Sequence, residues 1–384
     1  MVAAVRAGWS QRRVAREFGV RLGTVQYWVR RAGGQALDDV DWSNHPRGPR
    51  RPANRTDRAT EDLVLTVRRE LQEHSALGEW GAEAIRRDLL TRGPGPVPSV
   101  RTIGRILERT GALDGRRRLR RPPPPRGWYL PDVAAGDAEL DAFDVIEGLV
   151  IEGGLGVEVL TGLSLHGGLP AAWPEAQITA KKTVQRLVWH WREVGLPTYA
   201  QFDNDTLFQG AHQYPDTVGR VTRLCLALGV VPVFTVPGEQ GFQNALEAFN
   251  GRWQAKVWNR FHHASRADLL ARSAAYIAAL RTRGAARIDA APARRAFPAP
   301  WRLNLKAPLR GRILYLRRTD DQGRVQVLGH RFLVTPQWPH RLVRAEVNLD
   351  AGLVRFFALR RRDPTYQPLL KEVSHALPNR PFQG

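Results

Sequence analysis

The fold is decided by residues 198–256, TYAQFDNDTLFQGAHQYPDTVGRVTRLCLALGVVPVFTVPGEQGFQNALEAFNGRWQAK. An apolar run that ends at Asp203 predicts a strand carrying a carboxylate at its carboxyl end. The pattern then predicts a helix over 217–228, a strand over 230–236, and a long helix over 240–261 with Glu247 in an early turn. Strands alternating with helices indicate a crossover-connected sheet, in which ligands collect at the carboxyl ends of the strands. We therefore expect Asp203 and Glu247 near one rim, as a site for divalent cations. Taken alone, an Asp-Asn pair after a strand is more often a turn or a helix cap.

The composition indicates the class of partner. The chain has 384 residues, enough for several domains, and a net charge of +21, which favours a polyanion. Its single cysteine, Cys225, excludes an intramolecular disulfide and a multi-cysteine zinc site, and its position on an apolar helix face predicts a buried thiol. We see neither a signal peptide nor an apolar run of membrane-spanning length. The prediction is a cytoplasmic, nucleoid-associated protein without membrane contact.

Residues 1–33 are predicted to form a helix-turn-helix. Ser10 is a suitable N-cap for the first helix, Gly19 makes the turn, and Val25 and Trp28 anchor the second helix. An ordinary helical hairpin with solvated arginines is the alternative. The side chains expected to face DNA are Arg21, Gln26, Tyr27, Arg30 and Arg31.

A predicted linker at 34–57 leads to a second helical unit at 58–115, and a basic, proline-rich linker follows at 116–136. In the second unit we expect Arg101 and Arg105 to contact DNA, although a purely structural bundle is nearly as good an interpretation. The proline-rich segment RRRLRRPPPPR cannot build a core, so it is either a stiff strap along DNA or a solvated linker. Its candidate DNA contacts are Arg116, Arg117 and Arg118.

Residues 137–285 have the element order of an RNase H-like α/β core. Alternating apolar residues over 137–168 predict an antiparallel meander that contains Asp144 and closes at Ser164, and 179–194 predicts a helix. The strands and helices of 198–256 complete the order. The fold class predicted for the chain is therefore multidomain: all-α helix-turn-helix units, an α/β RNase H-like core and a small C-terminal β-barrel.

The motifs of this core resemble those of the integrase-core, retroviral-integrase-like DDE transposases of bacterial insertion sequences. The matching residues are Asp144, Ser164, the FDN at 202–204 and the QNALEAFNGRW at 243–253. The resemblance implies a polynucleotidyl transferase that cuts and joins DNA with two Mg²⁺ or Mn²⁺ ions. It also implies Asp144, Asp203 and Glu247 as catalytic, metal-binding carboxylates, double-stranded DNA (element ends and target) as the partner, and a homo-oligomer on DNA.

The chain departs from the family pattern in three ways. The interval between Asp203 and Glu247 is longer than usual, and Asp205 stands where a glycine is common. Asp141, three residues before Asp144, is a second candidate for the first carboxylate. Side chains three apart on a strand point to opposite faces, so only one of them can face the rim, and the spacing to Ser164 favours Asp144.

The remaining predictions concern the end of the chain. Arg252 and Lys256 follow Glu247 on one helix and could reach phosphates, while Trp253 is interpreted as a core residue, with base stacking as the alternative. A linker over 286–307 precedes a β-rich segment, 308–384, that resembles the C-terminal β-barrel of Mu-type transposases and would contact DNA or another subunit. Two other functions stay open: a catalytically inactive DNA-binding protein and a structure-selective nuclease.

Overall fold

The computed structural model describes residues 1–44, 56–93, 95–113, 126–211, 214–239, 241–360, 366–378 and Phe382. The chain divides into two compact units, Met1–Asp62 and Leu63–Gly384. The α-helices of the described residues are α1 Val2–Arg6, α2 Gln11–Glu17, α3 Leu22–Ala32, α4 Arg58–His74, α5 Ala82–Thr91, α6 Val100–Arg109, α7 Pro131–Ala135, α8 Ala180–Val194, α9 Thr206–Gln209, α10 Arg220–Ala227, α11 Asn244–Trp253 and α12 Arg266–Asp289. Their strands are β1 Leu140–Ile151, β2 Leu155–Ser164, β3 Pro170–Glu175, β4 Tyr199–Phe202, β5 Val231–Phe234, β6 Arg312–Arg318, β7 Arg324–Val327, β8 His330–Leu333, β9 Leu342–Asn348, β10 Leu353–Ala358 and β11 Leu369–Ser374.

The first unit contains the two helices predicted over 10–31, α2 and α3, together with the short α1. The Ser10 side chain accepts a hydrogen bond from the Arg13 amide at 3.3 Å, as an N-cap does. Gly19 takes a positive φ of 63°, which lets the chain turn between the helices. Val14 and Val25 are fully buried between α2 and α3. Helices and turn therefore lie where the sequence predicts them.

Helices α4, α5 and α6 share a small core of their own. Val67, Ile85, Ile103 and Ile106 have no exposed surface, which confirms the three helices predicted over 58–113. The side chain of Ser99 caps α6 by accepting from the Thr102 amide at 3.2 Å.

The central sheet is mixed, with the strand order β11-β10-β9-β6-β5-β4-β1-β2-β3. Strands β1, β2 and β3 form the predicted antiparallel meander, and β4 and β5 continue the sheet parallel to β1. This α/β arrangement is consistent with the predicted RNase H-like core. β4 pairs with the first residues of β1, and β5 lies on the other side of β4.

Helices cover both faces of the meander half of the sheet. On one face, Trp191 of α8 and Leu224 of α10 are buried against Phe143 and Phe202. On the other face, Phe249 and Trp253 of α11 lie in a cluster with residues of β1, β2 and α12. The indole Nε1 of Trp253 donates to Ser273 Oγ at 3.1 Å, so this tryptophan is a core residue, as the sequence favoured.

The α11 helix is shorter than the predicted 240–261. Gly241 has a φ of 101°, so the chain does not enter the helix there, and α11 begins at Asn244. It passes directly into a π-helical turn, Gln254–Trp258. Glu247 remains in the first turn of α11.

The C-terminal strands do not form the separate barrel that the sequence predicts. β6 pairs in parallel with β5 through Val233↔Leu314 and Phe234↔Tyr315, and β9, β10 and β11 extend the same sheet. Buried Tyr315 stacks on Phe234, so the apolar core is continuous across this junction. The predicted boundary at 286–307 also shifts, because α12 runs to Asp289.

The loop between α4 and α5 is tied to the π-helical turn and to α12. Lys256 Nζ donates to the Gly78 carbonyl at 2.7 Å and lies 4.6 Å from the Trp80 ring centroid. Arg260 donates to the carbonyl of Ser75 at 2.5 Å, and Arg283 pairs with Glu79. The helices α4–α6 are therefore fixed to the helical layer that carries Glu247.

Candidate functional site

The register of β1 against β4 brings two aspartates to the same level of the sheet. The last parallel pair is Ala142↔Gln201. Asp144 and Asp203 each lie two residues further along their strands, so both carboxylates point to the face of Ala142 and Gln201. This is the face that α11 covers, since Gln201 Nε2 donates to the carbonyl of Phe242 just before that helix.

Asp141 lies on the opposite face, in a buried ion pair. It is 2% exposed, pairs with Arg294 and accepts a hydrogen bond from Trp191 Nε1 at 3.1 Å. Trp191 belongs to α8, on the far side of the sheet from α11. The two candidates for the first carboxylate are therefore on different faces, and Asp144 is the one beside Asp203.

Helix α11 brings a third carboxylate and an amide to this rim. Asn250 Nδ2 donates to Asp144 Oδ2 at 2.9 Å, which fixes this side of α11 against β1. Glu247 lies three residues earlier, on the same side of the helix, and is exposed. Asp144, Asp203 and Glu247 thus come from β1, the end of β4 and the first turn of α11.

Electrostatics show that the three carboxylates share one environment. Burial, together with the charges of Asp203 and Glu247, raises the pKa of Asp144 to about 6, against hydrogen bonds from the Val145 amide and Asn250 that lower it. Burial also raises the pKa of Asp203, with contributions from the charges of Asp205 and Glu147. A cation bound here would relieve this repulsion.

Amide side chains around the rim have atoms without partners. In the described part of the chain, the buried side-chain atoms that lack a hydrogen bond include Asn204 Oδ1, Gln243 Nε2 and Asn250 Oδ1. Each belongs to a residue next to the carboxylates: Asn204 follows Asp203, and the carbonyl of Gln243 accepts from the Glu247 amide at 2.9 Å. Unpaired buried polar atoms are costly, and their clustering here is typical of a ligand site.

Glu147 and Asn250 are site residues that the sequence analysis missed. Glu147 is exposed on β1, where the register shifts between Ile146 and Leu149, and its charge reaches Asp203. An irregularity of this kind has no clear sequence signal apart from Gly148, whose φ is 73°. Asn250 could have been found from its spacing of three residues after Glu247.

The three carboxylates offer oxygen ligands. Among the described residues, the group of His, Cys, Asp or Glu whose ligand atoms all lie within 4.8 Å of one another is Asp216, His330 and His375, in a different part of the fold. Oxygen ligands suit Mg²⁺, which keeps several waters and takes one or two protein carboxylates. The donor set of hard oxygens fits that ion.

Some of the residues predicted to contact DNA make side-chain contacts within the chain, and others are exposed to solvent. The ammonium of Lys256 contacts the Gly78 carbonyl and the Trp80 ring, so it is engaged within the chain. Arg31 donates to Tyr27 Oη at 3.1 Å and pairs with Asp41 at 3.2 Å, so it is partly engaged within its own unit. Arg116, Arg117 and Arg118 lie outside the described residues. The remaining candidates are exposed: Arg21, Gln26, Tyr27, Arg30, Arg101, Arg105 and Arg252.

The buried cysteine and the lengths of the helices are structural features outside the candidate site. The Cys225 thiol is fully buried, and burial raises its pKa well above the usual range, which makes it unreactive. Within the described residues, the helices are all too short or too polar to span a bilayer.

Comparisons with known proteins give structural neighbours only. No family model matches the chain. No curated protein matches it either. Among solved structures, it is similar to a chain of the simian T-cell lymphotropic virus intasome in complex with PP2A regulatory subunit B56 gamma, at 12% identity and a TM-score of 0.35, over 72% of this chain and 88% of that one.

Two further neighbours are catalytic core domains. The HTLV-2 integrase core in complex with magnesium, in its dimeric form, has 12% identity and a TM-score of 0.25, over 32% of this chain and 70% of that one. The BIV integrase core has 14% identity and a TM-score of 0.28, over 37% of this chain and 82% of that one. All three TM-scores are below 0.5, so the function proposed below rests on the geometry of the chain's own residues.

Proposed function

We propose that this protein is a DDE-type polynucleotidyl transferase, a transposase or integrase that cleaves DNA and transfers a strand of a mobile element. The observation that carries the proposal is the pKa of about 6 at Asp144, which burial and the charges of Asp203 and Glu247 raise. Carboxylates whose charges act on one another across a half-buried site are typical of a site for divalent cations.

Asp144, Asp203 and Glu247 would hold the cations, which we expect to be two Mg²⁺ or Mn²⁺ ions. Such ions, when bound, activate a nucleophilic oxygen and stabilise the leaving oxygen of a phosphodiester. Asn250 positions Asp144 through its 2.9 Å hydrogen bond. The buried amide atoms Asn204 Oδ1 and Gln243 Nε2 lack a hydrogen-bond partner within the described chain, so a bound water could satisfy them.

The charge of the chain supports DNA as the partner. A net charge of +21 favours binding to a polyanion through phosphate contacts. Arg252 is exposed on α11, the helix that carries Glu247, so it is a candidate phosphate contact. Arg21 and Arg30 on the helix-turn-helix, and Arg101 and Arg105 on α6, are the proposed contacts further away. Binding of element ends and target by a homo-oligomer is part of the proposal.

The experiment that tests the proposal is DNA cleavage and joining by the full-length protein with candidate element ends in Mg²⁺. Cleavage with joining, lost on chelation and in Asp203→Asn, supports a strand transferase. Cleavage without joining indicates a nuclease. DNA binding without either reaction indicates an inactive, transposase-derived DNA-binding protein, and the proposed enzyme function would be wrong.

A further inference from the structure

A second cluster of ligand-type side chains lies away from the carboxylate rim. Asp216 is in the segment between α9 and α10, His330 begins β8, and His375 directly follows β11. Asp216 Oδ1 is 3.0 Å from His330 Nε2 and 2.9 Å from His375 Nε2. The two imidazole centroids are 4.8 Å apart, and all three ligand atoms lie within 4.8 Å of one another. Three segments that are distant in sequence therefore each place one ligand atom close to the other two.

The backbone around this cluster is fixed before any ion binds. The Asp216 amide donates to the Leu328 carbonyl at 2.9 Å, and the His375 amide donates to the Gly352 carbonyl at 2.8 Å. Asp216 has a φ of 63°, in the left-handed region that aspartate tolerates better than most residues. A side chain at Gly329 would meet the Pro215 backbone at 2.8 Å, so only glycine allows the segments of Asp216 and His330 to approach so closely.

Apolar packing further restricts both imidazoles. Phe332 lies 6.2 Å from the His330 ring and 5.5 Å from the His375 ring, and it packs on buried Phe356. The side chains of Asp216 and His375 are 11% and 16% exposed, whereas His330 is 37% exposed. The point between the three ligand atoms is therefore enclosed by protein around Asp216 and His375, and it is accessible to water on the side of His330.

We propose that Asp216, His330 and His375 bind one transition-metal ion of the zinc class, separate from the ions of the carboxylate rim. Two imidazole nitrogens and one carboxylate are ligands that Zn²⁺ prefers, whereas Mg²⁺ selects oxygen. Tetrahedral bonds of about 2.0–2.1 Å place ligand atoms about 3.3 Å apart, a few tenths of an ångström more than the two distances from Asp216 Oδ1 to the imidazole nitrogens. Three protein ligands leave the fourth position for water from the exposed side.

The ion would connect the C-terminal strands to the core. His330 and His375 are 114 and 159 positions from Asp216, so one ion joins segments that are remote in sequence. Asp216 follows β4 and α9 and precedes α10, in the connection that leads away from Asp203. Because the ion binds the folded arrangement, its presence stabilises the fold by mass action. We therefore expect the metal to hold β8 and the end of β11 against this connection.

The test is metal binding by untagged, full-length protein that has been freed of metal with a chelator. Co²⁺ is added first, since its visible absorption reports coordination geometry, and Zn²⁺ is then used to displace it. We expect one equivalent of tetrahedral Co²⁺, displaced by Zn²⁺ and not by Mg²⁺, and a higher melting temperature with Zn²⁺. The variants are Asp216→Asn, His330→Gln and His375→Gln, which keep polar side chains in place of the ligands.

Each variant should bind Co²⁺ at least about 100-fold more weakly, since even outer-sphere partners of a ligand contribute 10–100-fold. His262→Gln is the matched control, because His262 is 78% exposed and pairs with Glu152. This control should bind Co²⁺ like the wild type. The proposal would be overturned by variants that have the melting temperature of metal-free wild type and bind Co²⁺ as tightly as the wild type does. A wild-type protein without a tetrahedral Co²⁺ spectrum would also overturn the proposal. Asp216, His330 and His375 would then form a hydrogen-bonded cluster that binds no metal.

Discussion

Replacing Asp144 with asparagine should stabilise the metal-free protein at neutral pH while removing its catalytic function. The pKa of Asp144 is raised from 3.8 to about 6 by burial and by the charges of Asp203 and Glu247. At 1.36 kcal/mol per pKa unit, the ionised carboxylate costs the folded state up to about 3 kcal/mol. Asparagine carries no charge, and a rotated Asn250 amide could present its unpaired Oδ1 to the new NH₂ group. We therefore expect a stabilisation of about 1–3 kcal/mol.

The pH dependence of this difference follows from the direction of the pKa shift. Below pH 3.8, Asp144 is protonated in the folded and the unfolded protein, so wild type and variant should be equally stable. Between pH 3.8 and about 6, the folded wild type binds the proton more tightly than the unfolded chain, and its stability falls as the pH rises. The gain of Asp144→Asn should therefore grow across this window and stay constant above it.

The assay is thermal or urea unfolding of both proteins in EDTA at a series of pH values. Asp141→Asn is the matched control on the same strand, because Asp141 forms a buried ion pair with Arg294. Removing one partner of such a pair leaves an uncompensated buried charge and costs about 3–5 kcal/mol. Asp144→Asn should therefore stabilise and Asp141→Asn destabilise. A less stable Asp144→Asn at pH 8, or a gain independent of pH, would refute the proposed electrostatic coupling at the rim.

Three further predictions concern catalysis and DNA. At limiting Mg²⁺, the cleavage rate should rise with pH through about 6, because Asp144 must ionise to bind the cation. More Mg²⁺ should move the midpoint of this rise to lower pH. A cleavage rate that is flat from pH 5 to 7 would contradict the prediction. The Asp203→Asn variant should bind DNA in EDTA as tightly as the wild type does. Its affinity should fall steeply with salt, with a slope of log K against log salt concentration of about −0.9 for each phosphate contacted. Salt-insensitive binding in a filter or polarisation assay would exclude phosphate contacts as the source of the affinity. Arg30→Ala should weaken binding to element ends without changing the melting temperature, since Arg30 is exposed on α3; an unchanged footprint would show that the first helical unit does not contact them.

The elements around the site could be predicted because their patterns are local. A run of apolar residues broken at Asp203 and an early-helix Glu247 are visible in the sequence, and both lie where these patterns place them. The preference for Asp144 over Asp141 used the alternation of side chains along a strand and the spacing to Ser164. The ion pair of Asp141 with Arg294 could not be predicted, because it joins residues 153 positions apart.

The errors arose where tertiary contacts decide the structure. Alternation in the C-terminal strands predicts strands but not their neighbours, so the pairing of β6 with β5 was missed and a separate barrel was expected. Lys256 was expected on one helix with Glu247, whereas it lies in the π-helical turn after α11, where Gly78 and Trp80 engage its side chain. Asp216, His330 and His375 have no common motif, so only the folded chain brings them together.

The measurement that tests the central claim most directly is strand transfer by four proteins under the same conditions. They are the wild type, Asp144→Asn, Glu247→Gln and Glu152→Gln, with labelled element ends and target DNA in Mg²⁺ and in EDTA. Glu152 is an exposed carboxylate just beyond β1 that pairs with His262, so its variant controls for the loss of one charge. We predict joined product in Mg²⁺ for the wild type and Glu152→Gln, and none in EDTA or with the other two variants at equal DNA occupancy. Joined product from Asp144→Asn or Glu247→Gln at the wild-type rate would contradict the assignment of these carboxylates as the catalytic site.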